Sequence, residues 1–264
     1  MRETILSSEE ELVSAINKLP NPLIYRGQSD SNWSLQTTLE RGCGSNYSKE
    51  FAEKYEGYAI EQFSSRFHLY DKENIQPNSL LEWLAIMQHY GVPTRLLDFT
   101  TSPYAALYFA LETYDIARRP DIALYCINYT ELMEKTLEII KLEDNEFNET
   151  RQSINGSQDE IFKKYVDRFN RNVLWVTEPQ RLNARIDKQS GCFLVSGNKG
   201  RRISEIICDA GYEEVTMNKI IFPGAKIESV FALLRKMNIS GKSIYGDLMG
   251  LSRSLALDLK IYAA

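Results

Sequence analysis

One stretch constrains the fold more than any other part of the sequence: it runs from Trp83 to Ala110 and reads WLAIMQHYGVPTRLLDFTTSPYAALYFA. Its first apolar residues recur at helical spacing, and the Gly-Val-Pro that follows them ends the predicted helix. Residues Thr94 to Phe99 predict a strand, and the Thr or Ser before Pro103 caps the next predicted helix. The stretch therefore predicts a strand held between two helices, with tight connections at both ends.

Short strands and helices follow one another irregularly along the rest of the chain. Apolar runs bounded by turn residues predict strands at 23–25, 121–128, 173–177, 192–196 and 219–222. Amphipathic spacing predicts helices at 7–19, 48–70, 80–89, 103–111, 158–169, 225–237 and 246–260. Because a regular strand–helix–strand alternation is missing, this order favours an α+β fold over a doubly wound sheet. We predict one domain over residues 1–264, with short mixed or antiparallel strands and surrounding helices.

Composition agrees with one domain of this length. The chain has 264 residues, of which 43% are hydrophobic and 25% are charged, so a sizeable core can form. The segment from Leu142 to Ser157 is polar and poor in large apolar groups. We predict an exposed insertion there and expect it to be the most mobile part of the chain.

Charge and cysteine usage restrict the function classes. The net charge is -5, and acidic and basic residues are interspersed, so the overall charge gives no indication of nucleic-acid binding. A small basic cluster, Lys199, Arg201 and Arg202, is either solvated surface or a nucleic-acid contact. The four cysteines are widely separated and only two histidines are present, so we predict no metal site. The first residues turn acidic before a signal-peptide core, and no apolar run approaches the roughly 18 residues that span a bilayer, so we expect a cytoplasmic protein.

Polar side chains cluster where the elements of the Trp83–Ala110 stretch join. These candidate site residues are Gln88, His89, Arg95, Asp98, Thr100, Thr101 and Ser102. A helix that begins after Ser102 directs its free backbone N–H groups toward an anion or a carbonyl oxygen. Arg26 ends another short predicted strand, beside Tyr25 and Gln28. We therefore predict a binding site formed by residues 25–28 and 88–102.

Several of these residues also have a structural interpretation. Arg26 can bridge a buried carboxylate such as Asp98, and His89 can stabilise the C-terminal end of its helix. Asp98 can instead accept hydrogen bonds from the backbone of its own turn, while Thr100 and Ser102 can serve as helix caps. The sequence leaves these alternatives open.

A set of motifs resembles the FRG-domain family, which takes its name from an aromatic-Arg-Gly motif. These motifs are Tyr25-Arg26-Gly27-Gln28, Trp33-Ser34-Leu35, Arg41, the block from Gln88 to Asp98, Asn183-x-Arg185, Gln189-x-Gly191-x-Phe193, Phe222-Pro223-Gly224 and the tail from Met237 to Leu251. The resemblance spans nearly the whole chain. Its most specific part is the block QHYGVPTRLLD.

The order of these motifs is similar to that of ADP-ribosyltransferases of the Arg/Ser/Glu type. The resemblance implies an ADP-ribosyltransferase-like core with NAD as a substrate, in which Arg26 holds the pyrophosphate and Thr100 and Ser102 hold the ribose. The full set of NAD-binding residues that we predict is Tyr25, Arg26, Gln28, Gln88, Arg95, Thr100, Thr101 and Ser102.

The predicted catalytic residues are Gln189, Asp98 and His89. Gln189 occupies the place where the resembled enzymes carry a catalytic Glu. Cleavage of the bond between nicotinamide and ribose builds positive charge on the ribose, and an amide supplies no negative charge to stabilise it. Either Asp98, Glu178 or another carboxylate substitutes, or the fold binds the nucleotide without turning it over.

The resemblance implies transfer of ADP-ribose to a macromolecule, RNA or protein, by a bacterial toxin or phage-defence effector with an antitoxin as partner. The alternative is a non-catalytic recognition module that binds a nucleotide or a partner protein in the same cleft. The acceptor and the oligomeric state do not follow from the sequence.

Overall fold

A single mixed sheet forms the centre of the computed structural model, which describes residues 1–71, 75–177 and 190–262. The strands in these ranges are β1 (Arg2–Ile5), β2 (Leu23–Gln28), β3 (Leu96–Thr100), β4 (Ile122–Asn128), β5 (Leu174–Thr177), β6 (Gly191–Ser196) and β7 (Met217–Phe222). They lie in the order β1-β7-β4-β2-β3-β6-β5. β1 and β7 are parallel, and each of the other neighbouring pairs is antiparallel.

Helices connect the strands and cover both faces of the sheet. Their bounds are α1 (Glu9–Lys18), α2 (Thr38–Cys43), α3 (Lys49–Tyr70), α4 (Leu80–His89), α5 (Pro103–Glu112), α6 (Tyr129–Glu143), α7 (Gln158–Ile161), α8 (Ile203–Ile206), α9 (Ile227–Lys236), α10 (Gly241–Tyr245) and α11 (Leu248–Tyr262). A π turn at 162–166 and a 3₁₀ turn at 167–169 continue from α7. The mixture of helices with short, mostly antiparallel strands confirms the predicted α+β class.

Local capping chemistry sets where several of these helices begin. The Ser8 hydroxyl accepts a hydrogen bond from the backbone N–H of Glu11 at 3.3 Å, and α1 starts one residue later. The Ser102 hydroxyl accepts from the backbone N–H of Ala105 at 3.2 Å, with Pro103 in the first turn of α5. The sequence predicted the Thr or the Ser before Pro103 as the cap of α5, and the structure has Ser102. In both helices the serine satisfies an otherwise unpaired backbone N–H group.

The side chains of β2 alternate between two hydrophobic cores, one on each face of the sheet. Leu23 and Tyr25 pack with α1, α5, α9 and α11, whereas Ile24 packs with α4 and α6 on the other face. Because side chains of a strand alternate, Arg26 and Gln28 follow Ile24 onto the α4 face, and Gly27 lies under α5.

The segment predicted as an exposed insertion, 142–157, is anchored to the core. Its start belongs to α6, and the side chains of Phe147 and Ile154 are each only 1% exposed. Two isolated apolar side chains are enough to hold a polar segment against the protein, because each buries a large apolar area. The sequence-based prediction also did not include β1, α2, α6, α8 or α10, and it gave a continuous helix at 158–169 where three short turns are found.

Among the helices of the described ranges, none combines the length and the apolar character needed to cross a membrane.

Candidate functional site

A cavity of about 860 Å³ opens where β2 and β3 separate. β2 and the segment after it line the cavity with residues 25–29, 32–34, 36, 38 and 41. α4 contributes Ala85, Gln88 and His89, β3 contributes Asp98, Phe99 and Thr100, and β6 contributes Gly191, Cys192 and Phe193. The other described lining residues are Ala106, Phe109, Glu112, Thr113 and Tyr245. We call this cavity the central cleft. It brings residues 25–28 together with Gln88, His89, Asp98 and Thr100 of the predicted binding site.

The cleft exists because β2 is bonded along only one of its edges. On one side β2 pairs with β4 over its whole length, from Leu23 opposite Asn128 to Gln28 opposite Ala123. On the other side its pairing with β3 is limited to Tyr25 opposite Thr100. The end of β2 that carries Arg26 therefore diverges from β3 and leaves a gap between them.

Gly27 allows α5 to lie directly on β2 beside this gap. A Cβ atom at position 27 would lie 1.8 Å from the carbonyl oxygen of Ala106 and 3.1 Å from the Cβ of Ala110. Only a residue without a side chain fits at that distance. The glycine of the Tyr-Arg-Gly motif thus sets the separation between the strand and the helix that together form one wall of the cleft.

Arg26 bridges the gap from β2 to β3. Its Nη1 donates a hydrogen bond to the backbone oxygen of Asp98 at 2.8 Å and lies 4.0 Å from the Asp98 carboxylate oxygen Oδ2. Among the described residues, Arg26 Nε is buried without a hydrogen-bond acceptor. Burial lowers the pKa of the Arg26 guanidinium, and the negative charge of Asp98 opposes that effect.

Arg26 is therefore not sealed against a buried acid, which was the structural alternative. The Asp98 side chain is 59% exposed, while that of Arg26 is 17% exposed. The pair lies on the wall of the central cleft, where the Asp98 carboxylate is exposed and the Arg26 guanidinium is largely buried.

Gln88 holds the neighbouring part of the wall in place. Its Nε2 donates to Asp98 Oδ1 at 3.0 Å and to the backbone oxygen of Leu96 at 3.2 Å. Its Oε1 accepts hydrogen bonds from the hydroxyls of Thr38 and Thr94. These hydrogen bonds tie Gln88, at the end of α4, to residues 94–98 in and before β3 and to Thr38 of α2. Gln88 orients the Asp98 carboxylate, and His89 lines the cleft next to it.

Arg95, predicted to bind NAD, does not belong to the lining of the cleft. Its Nε lies 2.7 Å from Glu56 Oε2 and its Nη2 lies 2.7 Å from Asp167 Oδ1, and its side chain is 4% exposed. Arg95 and Asp98 are three residues apart, so their side chains face opposite sides of an extended chain. The prediction that Arg95 binds NAD is corrected: its guanidinium pairs with the carboxylates of Glu56 and Asp167.

The three hydroxyl residues at the end of β3 also differ in position. Thr100 lines the cleft, is buried, and its Oγ1 accepts from the backbone N–H of Ser102 at 3.0 Å. Thr101 and Ser102 are not among the described residues that line the cleft. Ser102 serves as the cap of α5, and the backbone N–H of Thr101 donates to Ser190 O at 3.0 Å. Gln189 and Glu178 lie outside the described residues.

The basic cluster after β6 is engaged in contacts within the protein. Lys199 Nζ lies 3.2 Å from Asp167 and 3.5 Å from Glu56, and its side chain is 15% exposed. Arg201 Nη1 lies 2.7 Å from Asp209 Oδ2. Lys199 is therefore neither a solvated surface residue nor a nucleic-acid contact, because its ammonium group pairs with the carboxylates of Glu56 and Asp167.

Sequence reasoning missed two groups that line the cleft. Trp33, which is 51% exposed, offers an aromatic face near Arg41. Glu112 and Tyr245 lie on another part of the wall. Glu112 could have been noticed as an acid in the last turn of a helix, where the partial negative charge of the helix end disfavours it. Tyr245 lies in the tail motif from Met237 to Leu251, but the motif did not show that its side chain reaches the cleft, because that depends on the packing of distant helices.

Comparison with protein families matches residues 21–119 to the model of the FRG domain. The matched range includes β2, β3, α4 and α5, which carry most of the cleft lining. Searches among curated proteins and among solved structures found no significant match.

Proposed function

We propose that this chain, whose residues 21–119 match the model of the FRG domain, is an ADP-ribosyltransferase-like enzyme that binds NAD in the central cleft and transfers ADP-ribose to RNA or protein. The observation that carries the proposal is the pairing of Arg26 with the exposed Asp98 carboxylate on the wall of that cleft. An anion-binding guanidinium beside a carboxylate suits a substrate that carries a pyrophosphate and reacts through a cationic sugar.

The chemistry that we propose divides between these two side chains. The bond between the nicotinamide nitrogen and ribose C1′ breaks, and its electron pair leaves on the nicotinamide. A bond forms from C1′ to a nucleophilic oxygen or nitrogen of the acceptor, whose proton passes to a carboxylate or to water. Arg26 holds the pyrophosphate, and Asp98 stabilises the positive charge that develops on the ribose.

The size and the lining of the cleft support a ligand as large as a dinucleotide. Its volume of about 860 Å³ lies within the roughly 300–1,000 Å³ that small-molecule sites span. The exposed ring of Trp33 offers a stacking surface for a base, and Arg41 adds a second positive charge near the same wall. The Thr100 hydroxyl lies at the end of β3, where it can contact a ribose.

The test compares label transfer from labelled NAD by the wild-type protein, Arg26→Ala and Asp98→Asn, with total RNA and with cell lysate as acceptors. We expect transfer by the wild type and a loss of about a hundredfold or more in each variant, the size seen when one charge-stabilising group is removed. Arg235→Ala is the matched control, because Arg235 is 53% exposed and pairs with Asp258 away from the cleft. Absence of transfer, together with absence of NAD binding in calorimetry, would remove the enzyme proposal.

The biological setting belongs to the same proposal and is supported by the family resemblance alone. A toxin or phage-defence effector that acts in the cytoplasm and is held by an antitoxin should slow growth when expressed by itself. Expression of Arg26→Ala should leave growth normal at the same protein level. Equal toxicity of the two proteins would contradict this setting.

A non-catalytic nucleotide- or protein-binding module is the second candidate, and the amide at Gln189 favours it. If the chain is such a module, the wild type binds NAD but releases no nicotinamide over hours. Nicotinamide release that depends on Asp98 would exclude this candidate.

A further inference from the structure

Glu112 is an acidic residue at an unfavourable end of a helix. It is the last residue of α5, where the helix carries a partial negative charge, and its side chain is 13% exposed. Two cations reach it from α11: Arg253 Nη1 lies 2.7 Å from Glu112 Oε2, and Lys260 Nζ donates to the backbone oxygen of Glu112 at 3.0 Å. Arg253 contacts the carboxylate itself, whereas Lys260 binds the last backbone carbonyl of the helix, so one cation offsets the charge of the acid and the other stabilises the helix end.

The Glu112 carboxylate is held in one orientation at the wall of the cleft. Its Oε1 accepts from the Tyr108 hydroxyl at 3.1 Å, and its Oε2 accepts from the Tyr245 hydroxyl at 2.8 Å. Arg253 Nη1 also donates to the Tyr245 hydroxyl at 2.7 Å. Glu112 and Tyr245 line the cleft, whereas Arg253 is not among the described residues that do so. Arg253 is thus a positioning residue that fixes both groups from behind.

The tail motif from Met237 to Leu251, which the proposed chemistry does not use, accounts for the place of Tyr245. Gly241 of α10 and Gly250 of α11 are packed backbone to backbone: a Cβ on Gly250 would lie 2.2 Å from the Gly241 oxygen. A Cβ on Gly241 would also lie 2.7 Å from the Tyr108 hydroxyl. The two glycines therefore let the short helix α10 press against α5, which brings Tyr245 next to Glu112.

We propose that Glu112 and Tyr245 form a hydroxyl-binding subsite of the central cleft, in which the Glu112 carboxylate accepts a hydrogen bond from the 2′-hydroxyl of one of the riboses of the bound nucleotide. A carboxylate has about four acceptor directions, of which three are taken by Tyr108, Tyr245 and Arg253, so one remains for that hydroxyl. This subsite rests on the proposed function, since it presumes a ribose-containing ligand. It also makes residues 237–251, beyond the matched range, part of the site.

The test pairs protein variants with ligand variants, so that a loss of packing is not mistaken for a loss of contact. Calorimetry measures the Kd of NAD and of two NAD analogues, each lacking the 2′-hydroxyl of one ribose, for the wild type, Glu112→Gln and Tyr245→Phe. We expect the wild type to bind one analogue about tenfold more weakly than NAD. Glu112→Gln should bind NAD and that analogue about equally, because the hydrogen bond to a charged group is already missing. Tyr245→Phe should narrow the difference, because the Glu112 carboxylate loses a partner that orients it.

Matched controls have the same changes away from the cleft. Glu228→Gln removes a carboxylate that pairs with Arg119 at 2.8 Å, and Tyr114→Phe removes a buried hydroxyl that donates to Pro120 O at 3.0 Å. Both controls should keep the tenfold preference for NAD. Melting temperatures of all variants show whether each remains folded.

The outcomes separate the subsite from the proposed function. If Glu112→Gln and Tyr245→Phe discriminate between NAD and both analogues as the wild type does, the carboxylate serves packing only and the subsite is wrong, while the proposed function stands. A wild type that binds NAD but discriminates against neither analogue also overturns the subsite. If the wild type does not bind NAD at all, the proposed function fails and the subsite fails with it.

Discussion

Position 27 shows at the scale of one residue why a short motif can specify a site. The backbone of Ala106 on α5 comes so close to Gly27 that a side chain would overlap it. The arginine before it must reach across to β3, and the tyrosine before that must fill the core under α5. Each residue of Tyr25-Arg26-Gly27 thus meets a different physical demand, and no two of them can be exchanged.

Gly27→Ala is expected to destabilise the protein strongly. A Cβ at 1.8 Å from a backbone oxygen cannot be accommodated by a side-chain rotation, so α5 or β2 must shift. We expect a loss of about 3 kcal/mol or more in the free energy of unfolding, at the upper end of overpacking effects. Urea denaturation followed by circular dichroism measures it.

The same change at Gly42 is the control. Gly42 lies in α2, and the Cβ that alanine would add there meets no other atom within 4 Å, so Gly42→Ala should stabilise the protein by about 0.5–1 kcal/mol. Equal effects at both positions would contradict the close packing of α5 on β2.

The two arginines of the predicted site show what sequence reasoning can and cannot resolve. Arg26 and Arg95 both border predicted strands, and both were assigned to ligand binding. The structure separates them, because the partners of Arg95 are Glu56 and Asp167, which lie far from it in sequence. Local pattern predicted most of the strands, the cap of α5, and the lining by Arg26, Gln88 and Asp98, but it carries no information on which distant side chains meet.

At the scale of elements, buried charges rather than apolar contacts join several parts of the fold. Arg95 at the start of β3 contacts Glu56 of α3 and Asp167 of the turn after α7, and Lys199 after β6 reaches the same two carboxylates. The Arg95 side chain also lies over the ring of Phe162. Two cations and two anions therefore balance in a buried cluster, which fixes β3 against the helices behind the cleft.

Arg95→Leu should destabilise the protein far more than Arg26→Leu. Removing Arg95 leaves two poorly exposed carboxylates with one remaining cation, and breaking a buried charge pair costs about 3–5 kcal/mol. Removing Arg26 leaves Asp98 exposed to water, so we expect a cost of about 1 kcal/mol. Urea denaturation gives both values. The affinity for NAD should fall more in Arg26→Leu than in Arg95→Leu. A larger loss of stability at Arg26 would show that the assignment of the two roles is wrong.

Elements that the sequence did not predict are those whose partners are distant. β1 is a four-residue strand with mostly exposed side chains, and it exists because it pairs with β7 near the other end of the described chain. α6 carries a clear apolar face, yet its last part merges with the polar segment at 142–157 and was assigned to it. Short edge strands and helices next to polar segments are therefore the elements that pattern alone misses.

Buried tyrosine hydroxyls link stability of the whole molecule to pH. Burial is the first cause that raises the pKa of Tyr25, Tyr114 and Tyr212 to about 12 in each case. The Tyr212 hydroxyl joins two elements, since it accepts from the backbone N–H of Leu174 at 2.8 Å and lies 2.9 Å from the hydroxyl of Thr136. These groups contribute stability as neutral hydroxyls on both sides of the sheet.

The protein should therefore unfold in mild alkali. In the unfolded chain tyrosine ionises near pH 10, whereas the three buried groups keep their protons until about pH 12. Between these values the unfolded state binds fewer protons, so the free energy of unfolding falls as the pH rises. A pKa raised by about two units corresponds to at most about 2.7 kcal/mol for one group. Urea denaturation from pH 8 to 12 measures the fall, and Tyr212→Phe should make the fall smaller. Ionisation of all tyrosines near pH 10, seen by tyrosinate absorbance while circular dichroism stays native, would contradict this link.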